Sequence, residues 1–140
     1  MKLHAICATI AAAVLSLHTA RAEEKPETEL GKQMEAANDA LKAMKKETDP
    51  AKGAALARQA EAALVKCLSE VPSTLEKTPE AEKAKALANY RTLIAKSYVT
   101  VSQIEEAYLA NDLEKVKTLS EALRPDKKEG HEKYKPKDEH

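Results

Sequence analysis

The chain has 140 residues, 33% of them charged, with 23 basic against 23 acidic side chains and a formal net charge of zero. That balance gives no reason to expect a nucleic-acid partner. Three glycines, no phenylalanine and no tryptophan, together with abundant Ala and Leu, are the composition of a helical protein.

The first 22 residues read as an export signal. Lys2 supplies a positive start, residues 3–17 form an apolar run, and Ala20-Arg21-Ala22 closes it with a small-x-small cleavage pattern. The mature chain is then expected to begin at Glu23, with 21 basic and 23 acidic residues and a net charge of −2. A bilayer span needs about 20 consecutive apolar residues, and neither this run nor any later one is that long. The expectation is a soluble, periplasmic product whose mature chain does not insert in the membrane. Cys7 sits early in the apolar run and after Ile6, which is not a lipidation pattern. Once Cys7 is removed with the signal, Cys67 stands alone, so no intramolecular disulfide is available. No C-x-x-C-H site for covalent haem attachment exists either. Residues 23–140 suit one domain, a monomer held by packing alone.

Leu30, Met34, Ala37, Leu41 and Met44 recur at steps of four and three, predicting an amphipathic helix over residues 28–46. Asp49 as N-cap and Pro50 at the first helical position start a second helix. Its stripe is Leu56, Ala60, Ala63 or Leu64, Cys67 and Val71, and Pro72 stops it. Cys67 reads there as a small buried hydrophobe. Thr78-Pro79 repeats the start signal for a long third helix, with Ala84, Leu87, Ile94, Tyr98, Val101, Glu105 and Tyr108 in register. Asn111-Asp112 opens a fourth helix through Leu113, Val116, Leu119 and Leu123 toward His131 and Tyr134. Residues 136–140 are expected to be a disordered tail.

Four amphipathic helices with short links fold most simply as an all-α, antiparallel up-down-up-down four-helix bundle. In that topology the start of the first helix and the end of the fourth share one end of the bundle. At 1.5 Å per residue Met34 and His131 lie within a few ångströms of the same level, with room for a haem between them. Taken singly, a methionine in an apolar stripe is ordinary core filler and a histidine in a last turn an ordinary surface residue. Their shared level is what makes them a pair.

Three stretches carry a family resemblance over essentially the whole mature chain. They are Leu30-x-x-x-Met34 followed by Asn38-Asp39-Ala40-Leu41-Lys42, then Gln103-Ile104-Glu105-Glu106-Ala107 leading through Leu109-Ala110-Asn111 to Lys115-Val116-Lys117, and His131-Glu132-Lys133-Tyr134-Lys135. In these the chain resembles the soluble cytochrome b562 family of exported helical bundles. The resemblance implies one non-covalent haem b per chain, with Met34 and His131 as axial ligands, Leu30 and Lys127 beside it, and electron transfer with an unidentified redox partner protein. A methionine ligand favours a relatively high reduction potential.

The sequence departs from the family pattern at three places. Pro125 lies inside the fourth helix, where a proline removes a hydrogen bond and crowds the preceding turn, so a kink is expected there, with Gly130 adding looseness beside His131. Lys127 stands where the family carries an arginine near the haem carboxylates, and it supplies charge without a bidentate fork. Family pockets also place aromatic rings from the third helix against the porphyrin, whereas Leu93, Ser97, Tyr90 and Tyr98 stand nearest here. The alternative is a haem-free exported bundle acting as a binding or stress-response protein. His131, Glu132, Asp138, Glu139 and His140 have no regular metal-ligand spacing, and no nucleophile with an adjacent base argues for an enzyme.

Overall fold

Each helix starts where a side chain can satisfy the unpaired N–H groups of a first turn. The Thr28 hydroxyl accepts from the Gly31 N–H at 3.0 Å, the Asp49 carboxylate from Lys52 at 2.9 Å, and the Asp112 carboxylate from Lys115 at 3.0 Å. In the computed structural model, which describes residues 28–136, these caps open α1 (Glu29–Met44), α2 (Pro50–Ser69) and α4 (Leu113–Tyr134), while α3 (Glu80–Leu109) begins after Pro79. The export signal, its cleavage site, the Glu23 start and tail residues 137–140 lie outside the described residues.

The links between helices are as short as the pattern predicted. Residues 45–49 join α1 to α2, and the longer α2–α3 link folds a single 3-10 turn at Ser73–Leu75. The α3–α4 link is a helix-terminating motif. Asn111 takes the left-handed conformation (φ 56°), its N–H bonds the Tyr108 carbonyl, and the Asp112 N–H bonds the Ala107 carbonyl, both at 2.9 Å. Asp112 thus ends one helix and caps the next.

Four helices pack in sequence, α1 on α2, α2 on α3 and α3 on α4, as an antiparallel four-helix bundle without strands among the described residues. Ala54, Ala57, Ala60 and Ala63 on α2 are buried, and these small side chains let α1 and α3 approach α2 closely. In a core poor in aromatics, three of the four tyrosines act as clasps. The Tyr90 hydroxyl on α3 donates to the Cys67 carbonyl on α2 at 2.8 Å, and the Tyr108 hydroxyl on α3 donates to the Met44 carbonyl on α1 at 2.7 Å. From α4, Tyr134 donates toward the Ala86 carbonyl at 2.9 Å and Asn89 Oδ1 at 2.6 Å, and its ring meets Tyr90 edge-on at 5.4 Å between centroids. Cys67 is fully buried, as expected, and burial pushes its thiol up to about 11, so it stays an unreactive thiol.

Several positions differ from the sequence expectation. Val71 lies beyond the end of α2 and is exposed, Ala84 is exposed near the start of α3, and Leu113 is exposed in the first turn of α4. End turns have fewer neighbouring helices to bury them. Glu105 is not a core position: it pairs with Arg58 across the α2–α3 seam and sits beside Glu61. The buried Oε1 of Glu61 has no hydrogen-bond partner. Burial first, and then repulsion from Glu105, push the Glu61 carboxyl above its usual range, with Arg58 opposing. The expected kink at Pro125 is not needed. α4 runs as one helix through it, because Pro125 and Glu121 are both exposed, so the Glu121 carbonyl left without its N–H partner faces water.

Two predictions follow from this packing. A Cβ added at Gly53 would lie 2.3 Å from the buried ring of Tyr108, so Gly53→Ala should cost about 1–3 kcal/mol by overpacking, read as a lower midpoint in urea unfolding. A carboxyl whose pKa is raised on folding contributes stability that is present below its unfolded pKa and lost as pH rises through the folded one. Glu61→Gln should therefore stabilise the protein at pH 7 and lose that advantage as the pH falls below about 4.5, measured by urea melts across that range.

Candidate functional site

The four helices do not close into a complete ring. Each sequential pair brings backbones within 8 Å, but no Cα of α1 lies that close to any Cα of α4. Long side chains bridge the remaining seam. Lys127 Nζ on α4 donates to Asn38 Oδ1 on α1.

That hydrogen bond fixes the level of the sequence-predicted site. Met34 lies one turn before Asn38 and His131 one turn after Lys127. Because α1 and α4 run antiparallel, both steps lead toward the same end of the bundle. It is the end where Tyr134 meets the start of α3 and where the Thr74 hydroxyl, in the α2–α3 link, donates to the Tyr134 carbonyl at 3.4 Å. The pairing of ends expected from four helices is thus present.

The inward stripe of α4 shows what is unusual at this level. Val116, Leu123 and Tyr134 are buried, yet Lys127 and His131, which fall on the same helical face between Leu123 and Tyr134, are exposed. Across the seam, Leu30, Met34 and Leu41 are only half-buried against the core, whereas Ala37, Ala40 and Met44 on the side toward the other helices are buried. The bundle therefore leaves one stretch of its inner face uncovered, between the first turns of α1 and the last turns of α4. On α3, Ser97 falls on the inner stripe and is half-buried, a small side chain at a position its neighbours Leu93, Ile94 and Val101 fill with larger ones. Tyr90 is buried with its hydroxyl engaged by Cys67, so of the four residues expected to face a porphyrin it is committed to the core instead. The crevice just below, lined by Asn38, Leu41, Leu123 and Lys127 among others, measures about 40 Å³. A porphyrin does not fit that crevice; the uncovered end above it is where such a plane could lie.

Electrostatics favour a ligand-ready imidazole. Partial burial first, then the charges of Lys127 and Lys135, hold the His131 imidazole below its usual pKa, which keeps it neutral at pH 7 with a lone pair for coordination. Lys127 is itself held below the usual lysine range by burial and by the nearby charges of Lys45 and Lys42. Among the described residues no group of three or more His, Cys, Asp or Glu side chains could hold a metal ion, and no helix is long and apolar enough to cross a membrane.

The sequence profile of the cytochrome b562 family matches residues 29–135. The chain belongs to the cytochrome b562 family. Cytochromes of this family are b-type haem binders that carry electrons. A search among curated proteins finds no match. The matched span contains all four helices of this cytochrome b562 family member and every predicted site residue: Leu30, Met34, Lys127 and His131.

Pro125 bears on the site because α4 carries both Lys127 and His131. An exposed proline within an unbroken helix lacks the N–H of one helical hydrogen bond, partly offset by its lower unfolded-state entropy. Pro125→Ala should raise stability by about 1–2 kcal/mol, seen as a higher urea midpoint with unchanged helix content.

Proposed function

We propose that this protein is a periplasmic electron carrier that holds one non-covalent haem b between α1 and α4, with Met34 and His131 as axial ligands. The reading rests on the uncovered inner face at the level of those two residues, within a chain that belongs to a haem-binding family. Bound haem supplies one-electron chemistry, its iron cycling between ferrous and ferric states.

The residues at this end fit such a group by their chemistry. The Met34 thioether is a soft donor on a half-buried stripe, and the His131 imidazole is a borderline donor held neutral by its surroundings. Leu30 and Met34 offer apolar surface that is short of a partner, which a porphyrin plane would cover and so exclude water. Lys127, one turn from His131, offers a cation at the rim for haem carboxylates. Its ammonium acts as a point charge, so it directs a carboxylate toward the rim without fixing its angle as an arginine fork would. Ser97 and the absence of phenylalanine make the wall from α3 smaller and more polar than an aromatic one. The consequence is weaker haem affinity, not a different ligand set.

Haem titration of the purified mature protein tests this directly. The expected outcome is one haem per chain and a low-spin Met/His optical spectrum on reduction, with Met34→Ala losing the methionine signature and His131→Ala taking up haem at least roughly tenfold more weakly. If wild type and both variants bind haem equally poorly, or give the same spectrum, the cytochrome reading fails and the haem-free exported bundle takes its place.

A further inference from the structure

Below the level of Met34 and His131, the α1–α4 seam carries a concentration of positive charge of which the haem reading uses only Lys127. The crevice there is lined by eight residues, of which Lys42, Lys45, Arg124 and Lys127 are cationic and none is acidic. All four are exposed at the rim, over a floor formed by half-buried Leu41 and buried Leu123. Lys42 has a carboxylate neighbour, Asp39, at 3.1 Å. Among the described residues Lys45, Arg124 and Lys127 form no ion pair.

Like charges placed together on two helices repel one another, and the repulsion is visible in Lys127, whose ammonium is disfavoured by Lys45 and Lys42 as well as by burial. Elsewhere Lys32 meets Glu29, Lys128 meets Glu132 and Lys133 meets Glu129, each on its own helix. The chain as a whole carries no net charge, so four cations in one crevice lining without an acid are a local feature, not a sample of a basic protein. A local concentration of charge steers a partner of opposite sign during encounter.

The size of the site selects the kind of partner. Small-molecule sites typically enclose about 300–1,000 Å³; this crevice measures about 40 Å³, and the adjoining one, which shares Lys45, Ser120 and Arg124 and also carries Glu47 and Glu121, about 270 Å³, so both fall short. An open row of flexible cations over a thin apolar floor suits a surface that meets another surface.

We propose that the α1–α4 seam below the Met34–His131 level docks the carboxylate-rich face of a partner protein, through Lys42, Lys45 and Arg124 with Leu41 and Leu123 beneath them. That this partner is the one exchanging electrons with the chain rests on the carrier reading above. The docking surface itself does not need haem. Asp and Glu side chains of the partner enter between the cations, and the contact is weak, fast and salt-sensitive, as transient redox encounters are.

The test uses the haem-free mature chain and poly-L-glutamate as the probe, followed by amide chemical shifts. Shifts should cluster at Asn38, Leu41, Lys42, Lys45, Ser120 and Arg124. Affinity should fall by roughly tenfold or more in Lys45→Glu/Arg124→Glu and by less in Lys45→Gln/Arg124→Gln, and it should weaken steeply with added salt. Lys66→Glu/Lys85→Glu, which changes net charge equally at exposed positions on α2 and α3, should change affinity less than about twofold. Equal losses in the seam and control variants, or shifts scattered over the surface, overturn the proposal. So does tighter seam binding to phosphatidylglycerol vesicles than to the peptide, which assigns the strip to a lipid surface. Haem uptake is read separately by optical titration, so failure of the haem reading and failure of docking give different patterns.

Discussion

The spacing between α1 and α4 governs this molecule. Three of the four seams that an up-down-up-down bundle offers bring helix backbones within 8 Å, whereas the fourth stays wider and is bridged by the hydrogen bond from Lys127 to Asn38. A bundle with alanines on all four inner stripes would have closed that seam and left no room for a ligand plane. Here the alanines are concentrated on α2, which lies diagonally opposite α4 in the sequence of packing, so close approach is spent where no site is needed. The opening and the exposure of Lys127 and His131 on an inward stripe are two faces of one packing asymmetry.

The clasps explain why the bundle can keep an open seam. A helix bundle that buries one face of each element incompletely loses apolar contact area, at about 25 cal/mol per Å² left in water. Tyr90, Tyr108 and Tyr134 compensate by combining large buried rings with hydroxyls that satisfy backbone carbonyls on other helices, Tyr108 reaching from α3 to the end of α1 across the bundle. Tyr134 matters most for the site, since it anchors the last turn of α4 to the start of α3 just beyond His131. With that turn pinned, His131 has a defined position even though Gly130 precedes it and Pro125 lies upstream.

Much of this architecture was legible in the sequence, and the reasons are local. Asp49-Pro50, Thr78-Pro79 and Asn111-Asp112 set helix starts through capping chemistry that depends on a few neighbouring residues, and each lies within two residues of the observed start. The antiparallel order followed from short links. What could not be read locally was which face of α4 looks inward after Leu123, because two polar residues, a glycine and a proline interrupt the apolar period there. The tyrosine clasps join residues as far as 64 positions apart, and the cationic strip combines α1 with α4. Glu105 fitted the helical period of α3, but period alone does not distinguish the core from the adjoining seam, where Arg58 provides a partner. The matching Met34–His131 level was readable only through the helix count, and the ligand roles themselves only through the family resemblance.

The two readings of the protein separate at one physical point, the covering of the uncovered inner face. A purely structural bundle gains by filling that stretch of stripe with leucine or phenylalanine, since burying such a side chain contributes about 1.5–3 kcal/mol. This chain instead places Lys127 and His131 there on α4 and Ser97 opposite them on α3, beside half-buried Leu30 and Met34. A lysine, a histidine and a serine on inward positions forgo stability that four other inward positions nearby, Leu93, Ile94, Leu123 and Tyr134, collect. That stretch lies at the level of Met34 and His131. Packing alone gives no reason for it, whereas the flat apolar ligand of the proposed function, with acidic groups at its rim, would account for the missing bulk and the cation together.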